Sequence, residues 1–150
     1  MNVLIMGGAG FIGSHLCENL NKEPRIKKIY IIDNLTSGSK KNIQSIIKSK
    51  KIKFIKQDIL YLNKIKNYFE NISIVFHLAG LVDVVTSMNY PVKYINNNVI
   101  GTLNILECMK THKVKKIIFA ASSSCYGNIG NISIGEKQKI NPESPYAFSK

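Results

Sequence analysis

Short apolar runs and longer amphipathic stretches alternate along the whole chain. Asn2–Met6 is a continuous apolar run that stops at Gly7–Gly8, and Phe11–Leu20 then carries apolar residues at helical spacing. Lys28–Ile32 reads as the next strand, ended by Asp33, and Lys40–Ile47 as a short helix. Ile52–Lys56 is a strand ended by Gln57–Asp58, Leu60–Phe69 is helical, and Ile74–His77 is a strand. Val92–Met109 reads as one long helix with Leu103 and Leu106 on an apolar stripe, and Lys116–Ala121 as the last clear strand. Alternation of this kind predicts an α/β architecture, a doubly wound parallel sheet of about five strands in the order 3-2-1-4-5. Gly127–Gly135 reads as a loop, followed by Pro142 and Pro145. Pro145–Lys150 looks like the opening turn and a half of a helix, which is marginal alone. The expectation is therefore one domain over residues 1–150, truncated at its C-terminal end and inactive by itself.

The first strand–helix junction carries candidate chemistry. Gly7-Gly8-Ala9-Gly10-Phe11-Ile12-Gly13 lies between them, with Gly7, Gly10 and Gly13 in the spacing of a dinucleotide turn. Gly7 suits the tight turn, Gly10 close approach of backbone to a pyrophosphate, and Gly13 close helix–strand packing. The helix N-terminus offers free amides and partial positive charge to phosphates. Asp33 stands 33 − 13 = 20 residues past the last glycine, where an acid meets ribose hydroxyls. Asn34 follows it and no Arg is near, so a carboxylate faces any 2′-phosphate; this favours NAD over NADP. The pattern is that of a Rossmann fold.

Composition changes this picture little. The net charge is +12, but the lysines are scattered singly or in pairs, with no stripe mixing them with aromatics; they read as solvated surface, not a nucleic-acid face. The three cysteines, Cys17, Cys108 and Cys125, match neither a zinc site nor a redox pair, and no metal site is expected. Cys17 and Cys108 fall in helical patterns as buried free thiols, which points to a reduced, cytoplasmic setting. No apolar run is long enough to span a membrane, and the N-terminus has no secretory leader. His77 reads as a satisfied core histidine, and His15 and His112 as surface or packing residues. Asp83 and Ser87 read as loop residues near the cofactor, either of which could touch substrate.

Further motifs follow in order: Asp33-Asn34-Leu35, Asp58-Ile59, His77-Leu78-Ala79-Gly80, Asn97-Asn98-Val99 with Gly101-Thr102, Ser122-Ser123-Ser124-Cys125-Tyr126-Gly127, and Tyr146 with Lys150. With the glycines, this ordered set resembles the extended short-chain dehydrogenase/reductase family, and within it UDP-glucose 4-epimerase and its relatives. The resemblance covers the whole chain. It implies that Phe11, Ile12, Asn34, Ser37 and Gly38 help the glycines and Asp33 hold NAD. It places Asp58 and Ile59 at the adenine, Leu78, Ala79 and Gly80 at the nicotinamide-side ribose and phosphates, and Asn97 on the cofactor from the long helix. Ser122 is the implied catalytic hydroxyl, with Tyr146 and Lys150 as a Tyr-x-x-x-Lys pair. Residues four apart share a helix face, so the Lys150 ammonium would favour the Tyr146 phenolate while Lys150 also holds the ribose. Tyr146 would act as base toward a sugar hydroxyl, and hydride would pass to NAD.

That resemblance makes the expected activity, in the intact protein, 4-epimerisation of a UDP-sugar, a UDP-hexose or UDP-N-acetylhexosamine, by a homodimer. Val82 stands where UDP-glucose epimerases often carry a Lys that reaches the cofactor, and Ala120–Ser124 looks more like epimerases of UDP-N-acetylhexosamines or uronic acids. The alternatives are a nucleotide-sugar dehydratase or decarboxylase of the same family, and a non-catalytic NAD-binding module. Dehydratases carry an Asp–Glu pair where this chain has Ser123 and Ser124, and decarboxylases usually a Glu at Ser124. Non-catalytic modules usually lose the Tyr and Lys that are present here.

Overall fold

A computed structural model describes residues 1–131 and 133–150. Five strands, β1 (Asn2–Met6), β2 (Lys28–Asp33), β3 (Ile52–Lys56), β4 (Ile74–His77) and β5 (Ile117–Phe119), form one sheet in the order β3-β2-β1-β4-β5. Every neighbouring pair is parallel, with Val3 opposite Ile29 on one side and Ile74 on the other. The order and direction are those expected from the strand–helix alternation.

Burial on both faces explains why β1 reads as an unbroken apolar run. Leu4 and Met6 point to one side, into a core with Val75, Ile65, Phe69, Ile105 and Met109. Val3 and Ile5 point to the other, against Ile29, Ile31, Cys17 and Ile43. All four of these β1 side chains are fully buried. The first core lies beneath α2 (Leu62–Ile65) and α5 (Gly101–Thr111), the second beneath α1 (Phe11–Lys22).

The differences from expectation lie in short elements. Lys40–Ile43 forms only a 3-10 turn, capped by the Ser39 hydroxyl, and residues 44–49 continue as turns rather than as a helix to Ile47. The Leu60–Phe69 helix starts at Leu62 and changes to 3-10 geometry over Lys66–Phe69. The last strand shrinks from Lys116–Ala121 to Ile117–Phe119. The long helix runs from Pro91 to Thr111 as α4 (Pro91–Tyr94), a π-helical segment Ile95–Ile100, and α5. Asp83 and Ser87, read as loop residues, are the cap and a buried residue of α3 (Val84–Asn89). Its cap explains it: Asp83 accepts from the Thr86 amide at 3.1 Å and the Thr86 hydroxyl at 3.0 Å. The helical residues α6 (Pro145–Phe148) close the described fold. Among the described residues, no helix is long and apolar enough to cross a membrane.

Candidate functional site

A cleft of about 570 Å³ opens at the carboxyl ends of β1, β2 and β4. This is where the strand order reverses, the usual ligand position in an open α/β sheet, and the volume suits a small-molecule site. Gly7, Gly10, Asp33, Asn34, Ser37, Asp58, Ile59, Leu78, Ala79, Gly80 and Asn97 all line it. Thr36, Gln57, Leu60, Leu81, Val92, Lys93 and Asn96 line it too, and no motif had singled them out.

The glycine turn is built by sterics. Gly7 sits at φ +78°, and a Cβ there would lie 2.7 Å from the Ala79 amide nitrogen. At Gly13 a Cβ would lie 2.7 Å from the Gly8 Cα, so α1 packs on the turn backbone to backbone. Gly10 is the N-cap of α1 and offers no side chain to the first amides. Phe11 and Ile12 stand outside the cleft with exposed side chains, so what they can offer a phosphate is main-chain N–H. Gly38 packs on the Ala9 backbone, also outside the cleft lining. These features form a cradle that fits a dinucleotide.

Asp33 is buried at the cleft wall and already engaged. Oδ2 accepts from the Ala9 amide at 2.9 Å and Oδ1 from the Leu35 amide at 2.8 Å. The carboxylate thus ties the glycine turn to the end of β2. Asn34 donates to Asp58 Oδ2 at 2.8 Å, and the Leu60 amide to Asp58 Oδ1 at 2.9 Å, which fixes the cleft's other acid. Across the cleft, Asn98 in the π-helical segment holds the loop after β4. Its Oδ1 accepts from Leu81 N at 2.8 Å and its Nδ2 donates to Leu81 O at 3.0 Å. Asn97 donates to the same Oδ1 at 3.0 Å, so of the neighbouring asparagines Asn97 faces the cleft and buried Asn98 carries structure.

The predicted reacting residues lie beside this cleft. Ser122 follows β5 and caps the turn Ser123–Tyr126, accepting from the Ser124 amide at 3.2 Å. Cys125 in that turn donates to the Ala147 carbonyl at 3.5 Å and so joins it to α6. Tyr146 is buried, its ring edge-on to Tyr94 at 6.3 Å. The helix ends at Phe148, and the Lys150 amide bonds back to Ala147 in a tighter turn than the expected α-helix. Lys150 Nζ lies 4.9 Å from the Phe119 ring centroid and 3.7 Å from where a Gly80 Cβ would stand. Burial lowers the Lys150 pKa, partly offset by nearby Cys125.

His77 lies under the same spot. It is fully buried, its Nε2 2.8 Å from Thr102 Oγ1. Thr102 donates its proton to the Asn98 carbonyl, so His77 Nε2 is the donor in that pair. Nδ1 has no hydrogen-bond partner among the described residues, so the histidine is satisfied there at one nitrogen only. Burial, then the Lys150 charge, push its pKa down to about 4, and the ring stays neutral. Ser87 corrects the loop reading outright: it is fully buried on α3 and cannot touch substrate.

Extended short-chain dehydrogenase/reductases join a glycine turn, an acid ending β2 and a Tyr/Lys helix on this sheet. The chain belongs to the GDP-mannose 4,6 dehydratase family, whose model matches residues 4–150. A putative UDP-glucose 4-epimerase of Methanocaldococcus jannaschii is 39% identical over 99% of this chain and 47% of its own length. The UDP-Glc/GlcNAc 4-epimerase of Campylobacter jejuni superposes with a TM-score of 0.92 at 34% identity, over 99% of this chain and 45% of that one. A dTDP-glucose 4,6-dehydratase from Streptomyces venezuelae, solved with NAD bound, gives a TM-score of 0.93 at 27% identity, over all of this chain and 48% of that one. The chain thus spans about half the length of such relatives.

Proposed function

We propose that the intact protein is an NAD-dependent nucleotide-sugar 4-epimerase acting on a UDP-hexose or UDP-N-acetylhexosamine. The observation that carries this reading is the turn after β5. It places Ser122, Ser123 and Ser124 beside the Tyr146 helix with no carboxylate among them. A dehydratase must protonate a leaving hydroxyl, and this turn supplies no acid for it. NAD, when bound, would accept a hydride from the sugar C4 and return it to the opposite face. Tyr146 takes the proton of the C4 hydroxyl while Ser122 hydrogen-bonds the same oxygen. Lys150 holds positive charge near the phenol and the cofactor ribose. Gly7, Gly10, Gly13 and the amides of Phe11 and Ile12 seat the phosphates; Asp33, Asn34, Ser37 and Gly38 seat the adenosine ribose. Asp58 and Ile59 flank the adenine, and Leu78, Ala79, Gly80 and Asn97 close the nicotinamide side.

Ile100, Leu103 and Leu106 leave an exposed apolar face on the long helix, which supports a homodimer. The free buried thiols Cys17 and Cys108 support a cytoplasmic setting.

The test is product analysis by NMR with the intact protein, given UDP-glucose, UDP-N-acetylglucosamine and dTDP-glucose separately. The expected product is the C4 epimer of a UDP-sugar. A 4-keto-6-deoxy sugar from dTDP-glucose would overturn the epimerase reading in favour of the dehydratase. Tyr146→Phe keeps the ring packed on Tyr94 and should lower turnover about 10²-fold or more, with NAD binding intact.

A further inference from the structure

The helix that carries Tyr146 spans only Pro145–Phe148. So short a helix does not hold its own direction. Its N-terminal donors need acceptors from elsewhere. Pro145 has no N–H, and the Ser144 hydroxyl accepts from Ala147 N at 3.1 Å. The Tyr146 N–H is taken by Ser87, whose Oγ lies 3.1 Å away on α3. The Ser87 hydroxyl in turn donates to the Val84 carbonyl at 2.6 Å. The Tyr146 carbonyl is held from the other side: buried Ser149 donates to it at 2.8 Å and accepts from Asn98 Nδ2 at 2.8 Å. Asn98 also grips Leu81, which lines the cleft. The backbone of Tyr146 is therefore gripped at both its polar atoms, and Ser87 supplies the grip that α6 does not make for itself.

We propose that Ser87 is a positioning residue for the Tyr146–Lys150 pair, setting where the phenol stands relative to the cleft by accepting the Tyr146 backbone N–H; this rests on the reading of Tyr146 as the acid/base group. Asp83 is part of the same device. It holds φ +133° and caps α3, which places Ser87 opposite α6. A serine that merely capped a helix would contribute stability alone. A positioning serine changes the reaction while leaving ligand binding untouched.

The experiment uses the intact protein with UDP-galactose as substrate. It compares Ser87→Ala, Ser149→Ala and Tyr146→Phe with the parent, below the melting temperature of each. Ser87→Ala should lower kcat about tenfold or more, because small displacements of a reacting group are costly. KM for UDP-galactose and the calorimetric Kd for NAD should stay within about twofold, since Ser87 is fully buried and does not line the cleft. Ser149→Ala should move the same readouts in the same direction and decides the question if Ser87→Ala does not fold. An inactive Tyr146→Phe beside Ser87→Ala with unchanged kcat would overturn the positioning role alone. Full turnover in Tyr146→Phe would overturn the acid/base reading and this role with it.

Discussion

Replacing Asp33 with alanine should weaken the fold as well as the cofactor preference, because its carboxylate is the acceptor for two backbone amides. The Ala9 amide is buried, and without Asp33 Oδ2 it faces no other acceptor at that point of the glycine turn. An orphaned buried donor costs about 1–3 kcal/mol. The Leu35 amide is partly exposed, so water replaces Oδ1 in part and the loss is about 0.5–1 kcal/mol. Leu35 sits at φ +64°, a conformation that needs such local support. The sum is about 1.5–4 kcal/mol, which in a domain of this size lowers the melting temperature by about 3–16 °C. Asp33→Asn keeps one acceptor oxygen and should fall between parent and alanine. Scanning calorimetry of the three proteins reads this directly. A melting temperature for Asp33→Ala within about 1 °C of the parent would refute the tie between β2 and the glycine turn. The same samples titrated with NAD and NADP test selectivity: the parent should prefer NAD, and Asp33→Ala should narrow the gap. Equal or tighter NADP binding by the parent would refute the cofactor assignment.

Gly13→Ala should cost about 1–3 kcal/mol by overpacking, since the new Cβ would meet the Gly8 Cα at 2.7 Å; thermal unfolding unchanged from the parent would contradict the close packing. His77 should make stability fall with acid. The unfolded chain takes up this proton below 6.5 and the native one only near 4, so stability is complete above 6.5 and declines between 6.5 and 4, by about 3 kcal/mol in all. Urea midpoints at both ends of that range should differ less in His77→Gln, and equal slopes in the two proteins would rule His77 out. A thiol reagent should modify half-buried Cys125 in the native protein and leave Cys17 alone, because burial raises the Cys17 thiol to about 12; native labelling of Cys17 is the contrary result.

The glycine turn and the acid that ends β2 were legible because the requirements of the turn are strict and local. A positive φ at Gly7 and a backbone contact at Gly13 admit little else, and Asp33 follows at the spacing that β2 dictates. Strand positions were legible for a similar reason: a strand buried on both faces cannot hide in a polar stretch, and β1 and β4 fell where the apolar runs are, while edge strand β3 showed as an alternation of apolar residues and lysines. α3 was not legible. Its Val84, Val85 and Met88 share one face but are all exposed and span barely a turn, and the Asp83 cap and the contact with α6, which is remote in sequence, hold it as a helix. Asn98 was masked by Asn96 and Asn97, identical letters of which only one is buried. The π-helical segment that sorts them arises from tertiary contacts and leaves no spacing signature.

The two halves of the site answer to different constraints, and this bears on how one scaffold serves more than one reaction. The glycine turn is fixed by main chain: at Gly7 and Gly13 a Cβ would lie within 3 Å of neighbouring backbone atoms. The residues proposed to react sit at two short segments, the turn Ser123–Tyr126 and α6, joined to each other and to the body through Cys125, Ser87 and Asn98. A carboxylate could replace exposed Ser123 without moving the sheet or the cleft. Relatives named as an epimerase and as a dehydratase accordingly superpose on this chain almost equally well, with TM-scores of 0.92 and 0.93. Global fold similarity therefore does not separate the two reaction types for this chain, and the proposed epimerase reading rests on the Ser122-Ser123-Ser124 turn.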